Sequence, residues 1–333
     1  MPRPGPRVVA DIGGTHARFA TIGAEPRQLV GIECLQCSDY GTLEEAVVDY
    51  TKLRGIGKLE KLGLAVAGPV DRDLVDLPNN PWRFSRSELA RALDTNVDVV
   101  NDFAAQAGCL DALRPSDVTW LGAPRPRRKG VRAVLGPGTG LGVAVLMPDG
   151  DLLPSEGGHV AFAPTNPHEI ELLRHLMSRF GRVSAERLLS GPGLENLYWA
   201  NQQIDGVGSD VARMPAPEIN RRAREGEPLA LRAVEDFFDA LAGYAGDVAL
   251  FAWSTGGVYL SGGVLRKLSA FLDPDRFRAR FQDKGRFAPF FGRMPVGWIN
   301  HPYPGLLGCA ALLARASGNA AAAPTAESPL SPW

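Results

Sequence analysis

Val8-Val9-Ala10-Asp11-Ile12-Gly13-Gly14-Thr15-His16-Ala17-Arg18-Phe19-Ala20-Thr21-Ile22 is the stretch that decides how this chain is read. Residues 8–10 are apolar and rich in β-branched side chains. Gly13-Gly14-Thr15 interrupts them, and residues 17–22 resume an extended pattern, so the segment predicts strand, glycine turn, strand. The same order returns later. Residues 131–135 enter Gly136-Pro137-Gly138-Thr139-Gly140-Leu141-Gly142, and residues 143–146 leave it. Thr15 and Thr139 hold similar places in the two units, which points to two related halves rather than a short-period repeat.

Between and beyond these units the pattern alternates strand and helix. Residues 62–67 and 97–100 are short apolar runs that read as buried strands, the second ending in Asn101-Asp102. Helices are expected over 43–53, over 87–93 with Ser85 as N-cap, and over 104–113. The second half is more helical: 169–180, a helix beginning at Ala185-Glu186 under a Ser184 cap, 194–203, 228–253 and 305–316. In 228–253, Val234, Phe237, Phe238, Leu241, Ala245 and Val248 form one apolar stripe. Residues 258–260 read as a strand followed by Ser261-Gly262-Gly263 and a helix from about Val264. Residues 123–130 read as a basic surface loop near a domain boundary, and 318–333 as a compositionally biased, disordered tail.

Composition bounds the function. The chain has 333 residues, of which 45% are hydrophobic and 22% charged, enough to bury a large core without staples. Two domains are the natural division at this length, with one large α/β domain as the alternative. Lys plus Arg number 36 against 37 Asp plus Glu, for a net charge of −1, which argues against a nucleic-acid binder. Four cysteines make no disulfide framework. Cys34 and Cys37 form a lone CxxC that no second ligand pair completes into a zinc site. No apolar run reaches the ~20 residues of a membrane span, and residues 1–10 lack a signal-peptide core, so a cytoplasmic location is expected.

The two Gly-Thr turns admit two readings. They are ordinary hairpin turns, or their backbone N–H groups and Thr hydroxyls cradle a phosphate chain while Asp11 holds Mg²⁺ directly or through water. The P-loop, the G-x-G-x-x-G fingerprint, the G-x-S-x-G elbow and the H-E-x-x-H zinc motif are all absent. Asp102 follows a buried strand, where α/β ligand crevices collect; it is either a helix cap or a general base facing a substrate hydroxyl. Glu156-Gly157-Gly158-His159 and Glu186 are further polar groups that suit a polyol, each also readable as plain surface polarity.

DIGGTHARFA, NDFAAQA, LGPGTGLGVAVL, EGGHVAFAP, SAERLLSGPGLENLY and GGVYLSGGV follow one another in the order seen in bacterial glucokinases. From about Val8 to Ala316 the chain resembles that family, the non-ROK type within the actin-like sugar kinases; no C-x-C-G-x-x-G-C zinc segment is present. The resemblance implies an α/β, ribonuclease H-like fold of two domains with an interdomain cleft. The small domain is 1–110 completed by helix 305–317, and the large domain is 111–304. It implies ATP-dependent phosphorylation of D-glucose at the 6-hydroxyl, the entry step of glycolysis, with ATP and Mg²⁺ as cofactors. It also implies a homodimer with glucose and ATP as partners. Asp102 matches the catalytic base, and Asn101, Glu156, His159 and Glu186 the sugar-binding residues. Asp11, Gly13, Gly14 and Thr15 match the first phosphate element, Gly138, Thr139 and Gly140 the second, and Gly262-Gly263 the adenosine-side turn. His16 stands where many relatives have Asn, and Ala161 where relatives often have Asp. The competing readings are a related hexose or N-acetylhexosamine kinase and a non-catalytic sugar-binding regulator.

Overall fold

The computed structural model describes residues 5–25, 27–68, 70–77, 80–122, 130–206 and 213–319. The basic stretch 123–129 and the tail 320–333 lie outside the described residues. Contacts divide the chain into two units, one built from 1–112 with 303–333 and the other from 113–302.

The first unit carries β1 (Arg7–Ile12), β2 (His16–Ile22), β3 (Leu29–Gln36), β4 (Lys61–Val66), β5 (Leu74–Asp76), β6 (Arg83–Ser85) and β7 (Asn96–Asn101). Its main sheet has the order β3-β2-β1-β4-β7, and β5 and β6 form a separate ribbon. β1 runs antiparallel to β2 and parallel to β4, which runs parallel to β7. One face buries Ile12, Phe19, Leu62 and Leu64 against Tyr50 of the helix Leu43–Leu53. The other face packs Val9, Ala20 and Ala65 under Leu306, Ala310 and Leu313 of the helix Pro304–Asn319. A central strand covered by a helix on each side must be apolar in both directions, which is why Val8-Val9-Ala10 is a continuous run rather than an alternation.

The second unit repeats the scheme with β8 (Val118–Trp120), β9 (Arg132–Pro137), β10 (Leu141–Leu146), β11 (Leu152–Ser155), β12 (Gly257–Leu260) and β13 (Val296–Ile299), in the order β11-β10-β9-β12-β13-β8. Without the antiparallel edge strand β8, this is the order and polarity of the first sheet. The two Gly-Thr turns therefore join the first two strands of two like sheets. The core here is larger. Leu135 and Val143 pack with Leu197 of the helix Gly191–Ile204 and with Phe237 and Leu241 of the helix Pro228–Ala252.

Among the described residues, six α-helices carry a side-chain cap at the N-terminus. Thr42 accepts from Glu45 N at 3.1 Å and Ser85 from Glu88 N at 3.1 Å, each satisfying an orphan donor of the first turn. Two expectations need correction. Ser184 caps no α-helix: residues Ala185–Arg187 form one 3-10 turn with no side-chain cap, and Ser190 caps the following helix by accepting from Gly193 N at 2.9 Å. The helix expected over 104–113 is Asp102–Gly108 and then tightens into a 3-10 turn, Cys109–Asp111. Cys34 is exposed, the other three cysteines are buried, and none of the four is in a disulfide.

Candidate functional site

In the first unit, register sets three strand ends level. Ile12 of β1 lies beside Val66 of β4, and Val66 beside Asn101 of β7. The chain leaves all three at the carboxyl end of the parallel strands, where ligand crevices of α/β sheets form. After β1 comes Gly13-Gly14-Thr15, with Gly14 and Thr15 exposed. Gly13 N donates to His16 O at 3.0 Å, which closes the turn, and Cys37 N donates to Thr15 O at 2.9 Å. Asn80, distant in sequence, donates from Nδ2 to Gly13 O at 2.7 Å while its Oδ1 accepts from Trp82 N at 2.9 Å. Gly13 N is thus spent in closing the turn, and the Gly13 and Thr15 carbonyls tie it to Asn80 and Cys37.

Asp11 sits across β1 and β2 from Arg18. Burial pushes its carboxyl above the usual carboxylate range, and the Arg18 charge pulls it partly back. The first turn of the helix Pro304–Asn319 closes on the same carboxylate: a Cβ on Gly305 would lie 2.8 Å from Asp11 Cγ. Helix N-termini favour negative charge, so this placement also supports the ionised form. Among the described residues no group of three or more His, Cys, Asp or Glu gathers to hold a metal ion. A single carboxylate with adverse burial fits Mg²⁺ carried by a nucleotide, because Mg²⁺ takes one or two carboxylates, phosphate oxygens and waters.

At the end of β7 the helix cap expected of Asp102 falls to its neighbour. Asn101 is the N-cap: its Oδ1 accepts from Phe103 N at 2.9 Å and Ala104 N at 3.1 Å, and its Nδ2 donates to Gly68 O at 3.3 Å. Asp102 is the first residue of the helix, partly exposed, with Oδ1 accepting from Phe103 N at 2.9 Å. The asparagine oxygen does the capping, and the carboxylate stands beside it.

In the second unit, the turn Gly138-Thr139-Gly140 is closed by Gly138 N donating to Gly140 O at 2.7 Å, and Gly191 N donates to Gly138 O at 2.9 Å. Thr139 is exposed at its tip. Glu186 Oε2 accepts from Leu141 N at 2.9 Å, so this carboxylate is fixed to the foot of the turn. The segment Glu156–Val160 packs on the same spot. A Cβ at Gly158 would come within 2.0 Å of Leu141 O, so only glycine lets this loop approach. Ala185 N donates to Val160 O at 2.8 Å, and Ala161 bridges to Ser184, which joins the loop to the Glu186 segment. Glu156 and His159 are exposed, with Oε2 and Nε2 4.0 Å apart. The structure thus brings Glu156, His159 and Glu186 around the second glycine turn.

Gly262 follows β12 with φ +108, and a Cβ there would meet Pro137 O at 2.3 Å. Conformation and space both demand glycine. Gly263, which opens the next helix, has open space around its Cβ position. β12 lies beside β9, so the Gly262-Gly263 turn and the Gly138–Gly140 turn leave neighbouring strands at one end of the sheet. Sequence reasoning missed Asn80, which holds the first turn. It also missed two donors that hold the Glu156 loop: Tyr244 Oη to Gly157 O at 2.7 Å, and Arg182 Nη2 to His159 O at 2.6 Å.

A glucokinase family model matches residues 8–316. A glucokinase of Chromohalobacter salexigens is 42% identical over 313 residues, covering 92% of this chain and 97% of that protein. The "bifunctional protein glk" of Paraburkholderia xenovorans is 39% identical over 326 residues, and there the chain spans 50% of the relative's length. Among solved structures, a glucokinase from an Antarctic psychrotroph superposes with a TM-score of 0.84 at 34% identity, covering 93% of this chain and 99% of that one. With matching folds in both units and a family match across both glycine turns, the chain belongs to the glucokinase family.

Proposed function

We propose that the protein transfers the γ-phosphoryl group of ATP to the 6-hydroxyl of D-glucose, giving glucose 6-phosphate and ADP. The observation that carries this reading is the level row of strand ends. The Asp102 carboxylate and the Gly13–Thr15 turn leave strands two apart in one sheet, about 10 Å at the usual strand spacing. That separation suits a base working on a hydroxyl beside a bound phosphate chain. The family match and the 42% identity with a glucokinase support the same conclusion.

The family match supports the following roles. Backbone N–H groups of Gly14 and Thr15 and of Thr139 and Gly140, with the Thr15 and Thr139 hydroxyls, bind phosphate oxygens, while Gly13 N and Gly138 N close their turns. Gly262-Gly263 takes the adenosine side. Asn101, Glu156, His159 and Glu186 hydrogen-bond the sugar hydroxyls, which both donate and accept. Asp102 accepts the proton of the 6-hydroxyl as its oxygen attacks phosphorus, and positioning supplies most of the remaining acceleration. Asp11 would hold Mg²⁺, which when bound neutralises charge on the phosphates. No large basic surface is needed, in keeping with the net charge of −1.

Glucose-dependent ADP release by the purified protein tests the reading directly, and a panel of hexoses and N-acetylhexosamines sets its specificity. ADP release with none of them, beside measurable glucose binding, would replace it with a non-catalytic sugar sensor. A homodimer in the cytoplasm completes the proposal; sedimentation equilibrium tests the assembly. Among the described residues no helix is long and apolar enough to cross a membrane.

A further inference from the structure

The segment that carries Glu156 and His159 is a single 3-10 turn, Gly157–His159. Its internal bonds are short-range: His159 N donates to Glu156 O and Val160 N to Gly157 O, both at 3.0 Å. Just beyond it, next to Tyr244, lies a cavity of about 140 Å³ bordered by Val160, Ala161, Phe162, Thr165, Asp247 and Arg280. The turn rests on Leu141 through Gly158, and two side chains fix it further, each reaching a main-chain carbonyl. Tyr244, on the long helix Pro228–Ala252, donates from Oη to Gly157 O at 2.7 Å across 87 residues of sequence. Arg182 donates from Nη2 to His159 O at 2.6 Å.

From this geometry we infer that Tyr244 is a positioning residue for the sugar: its hydroxyl, acting through the Gly157 carbonyl, sets where Glu156 and His159 stand. The inference rests on the reading that those two side chains bind the sugar. Tyr244 suits the task. Its helix is anchored in the core of the second unit by Phe237, Leu241 and Ala245, so the donor is carried on a rigid element. Burial, together with the neighbouring Asp247 charge, pushes the phenol well above its ordinary range, so the hydroxyl stays protonated and able to donate at any working pH. Glycine at 157 leaves the carbonyl open to this bond, since a Cβ there would already lie 3.1 Å from the Tyr244 oxygen. Arg182 is the second tether on the same turn, placed one residue beyond the buried Gly158.

The test is a set of single variants, Tyr244→Phe, Arg182→Met and Glu156→Gln, each measured for glucose KM, ATP KM, kcat, glucose binding without nucleotide, and Tm. Tyr244→Phe removes one oxygen and keeps the ring. Glucose KM and the glucose dissociation constant are expected to rise about 3- to 10-fold, the scale of one neutral hydrogen bond, with ATP KM held within about twofold. Arg182→Met is expected to shift the same two quantities in the same direction. Unchanged glucose KM and binding in Tyr244→Phe, beside a clear rise in Glu156→Gln, overturns the inference and leaves the sugar assignment standing. Equal rises in glucose and ATP KM with a large drop in Tm also overturn it, because the tyrosine is then a general support of the unit. Unchanged glucose binding in all three variants overturns the sugar assignment itself, and the inference with it.

Discussion

Glu186 Oε2 accepts a hydrogen bond from the backbone N–H of Leu141 at 2.9 Å, which fixes a carboxylate expected to bind sugar to the foot of the turn expected to bind phosphate. A clean division of that unit into sugar residues and nucleotide residues therefore fails at Glu186. Glu186→Gln keeps an acceptor for Leu141 N but loses the charge. Glucose KM is expected to rise about 10-fold or more, as for a lost charge-assisted hydrogen bond, with a smaller change for ATP. Glu186→Ala removes the support as well and is expected to raise both KM values. Thr139→Val, at the exposed tip of the turn, raises the ATP value alone. Steady-state kinetics with each substrate varied in turn checks all three.

Gly262 and Gly263 are adjacent but not equivalent. Gly262→Ala forces a side chain onto φ +108 and within 2.3 Å of Pro137 O. The expected cost is about 1–3 kcal/mol of stability, with a raised ATP KM because the turn shifts. Gly263→Ala meets open space and is expected to be neutral, or stabilising by about 0.4–1 kcal/mol through the unfolded chain. Thermal unfolding of the two variants side by side separates them, and a Gly262→Ala protein as stable as the parent contradicts this account of the turn.

Asn101 caps two N–H groups of the helix, Phe103 N and Ala104 N, the first of which Asp102 also holds. Asn101→Ala removes the cap from Phe103 N and Ala104 N and is expected to cost about 0.5–2 kcal/mol, in addition to weakening sugar binding. Asp102→Ala retains that cap and is expected to unfold close to the parent temperature. Denaturant melts of both variants give the comparison, and the reverse order of stability contradicts the assignment of the cap.

How far the sequence carries is clear from these same residues. The strand–turn–strand units were legible because apolar runs end abruptly at glycine pairs, and the matching Thr15 and Thr139 showed that the two halves are alike. Asn101-Asp102 was legible as a strand end beside a helix start, but not which of the two would cap. Asn80 and Tyr244 reach Gly13 O and Gly157 O across 67 and 87 residues. No local pattern encodes contacts of that span, and a lone Asn or Tyr carries no periodicity. The short strands β8, at the sheet edge, and β13, between it and β12, were missed for a related reason: three or four residues completed by pairing across the sheet are too few to show alternation. Ser184 misled because a good cap residue stood before a segment that sheet-like bonding to Val160 holds in a 3-10 turn.

The central claim is that Asp102 takes the proton from the attacking hydroxyl. It is tested most directly by kcat and the glucose dissociation constant of Asp102→Ala measured beside the parent protein. The account predicts a kcat lower by about 10²- to 10⁴-fold or more, with glucose still bound within about tenfold of the parent affinity. A variant that turns over at near the parent rate contradicts it.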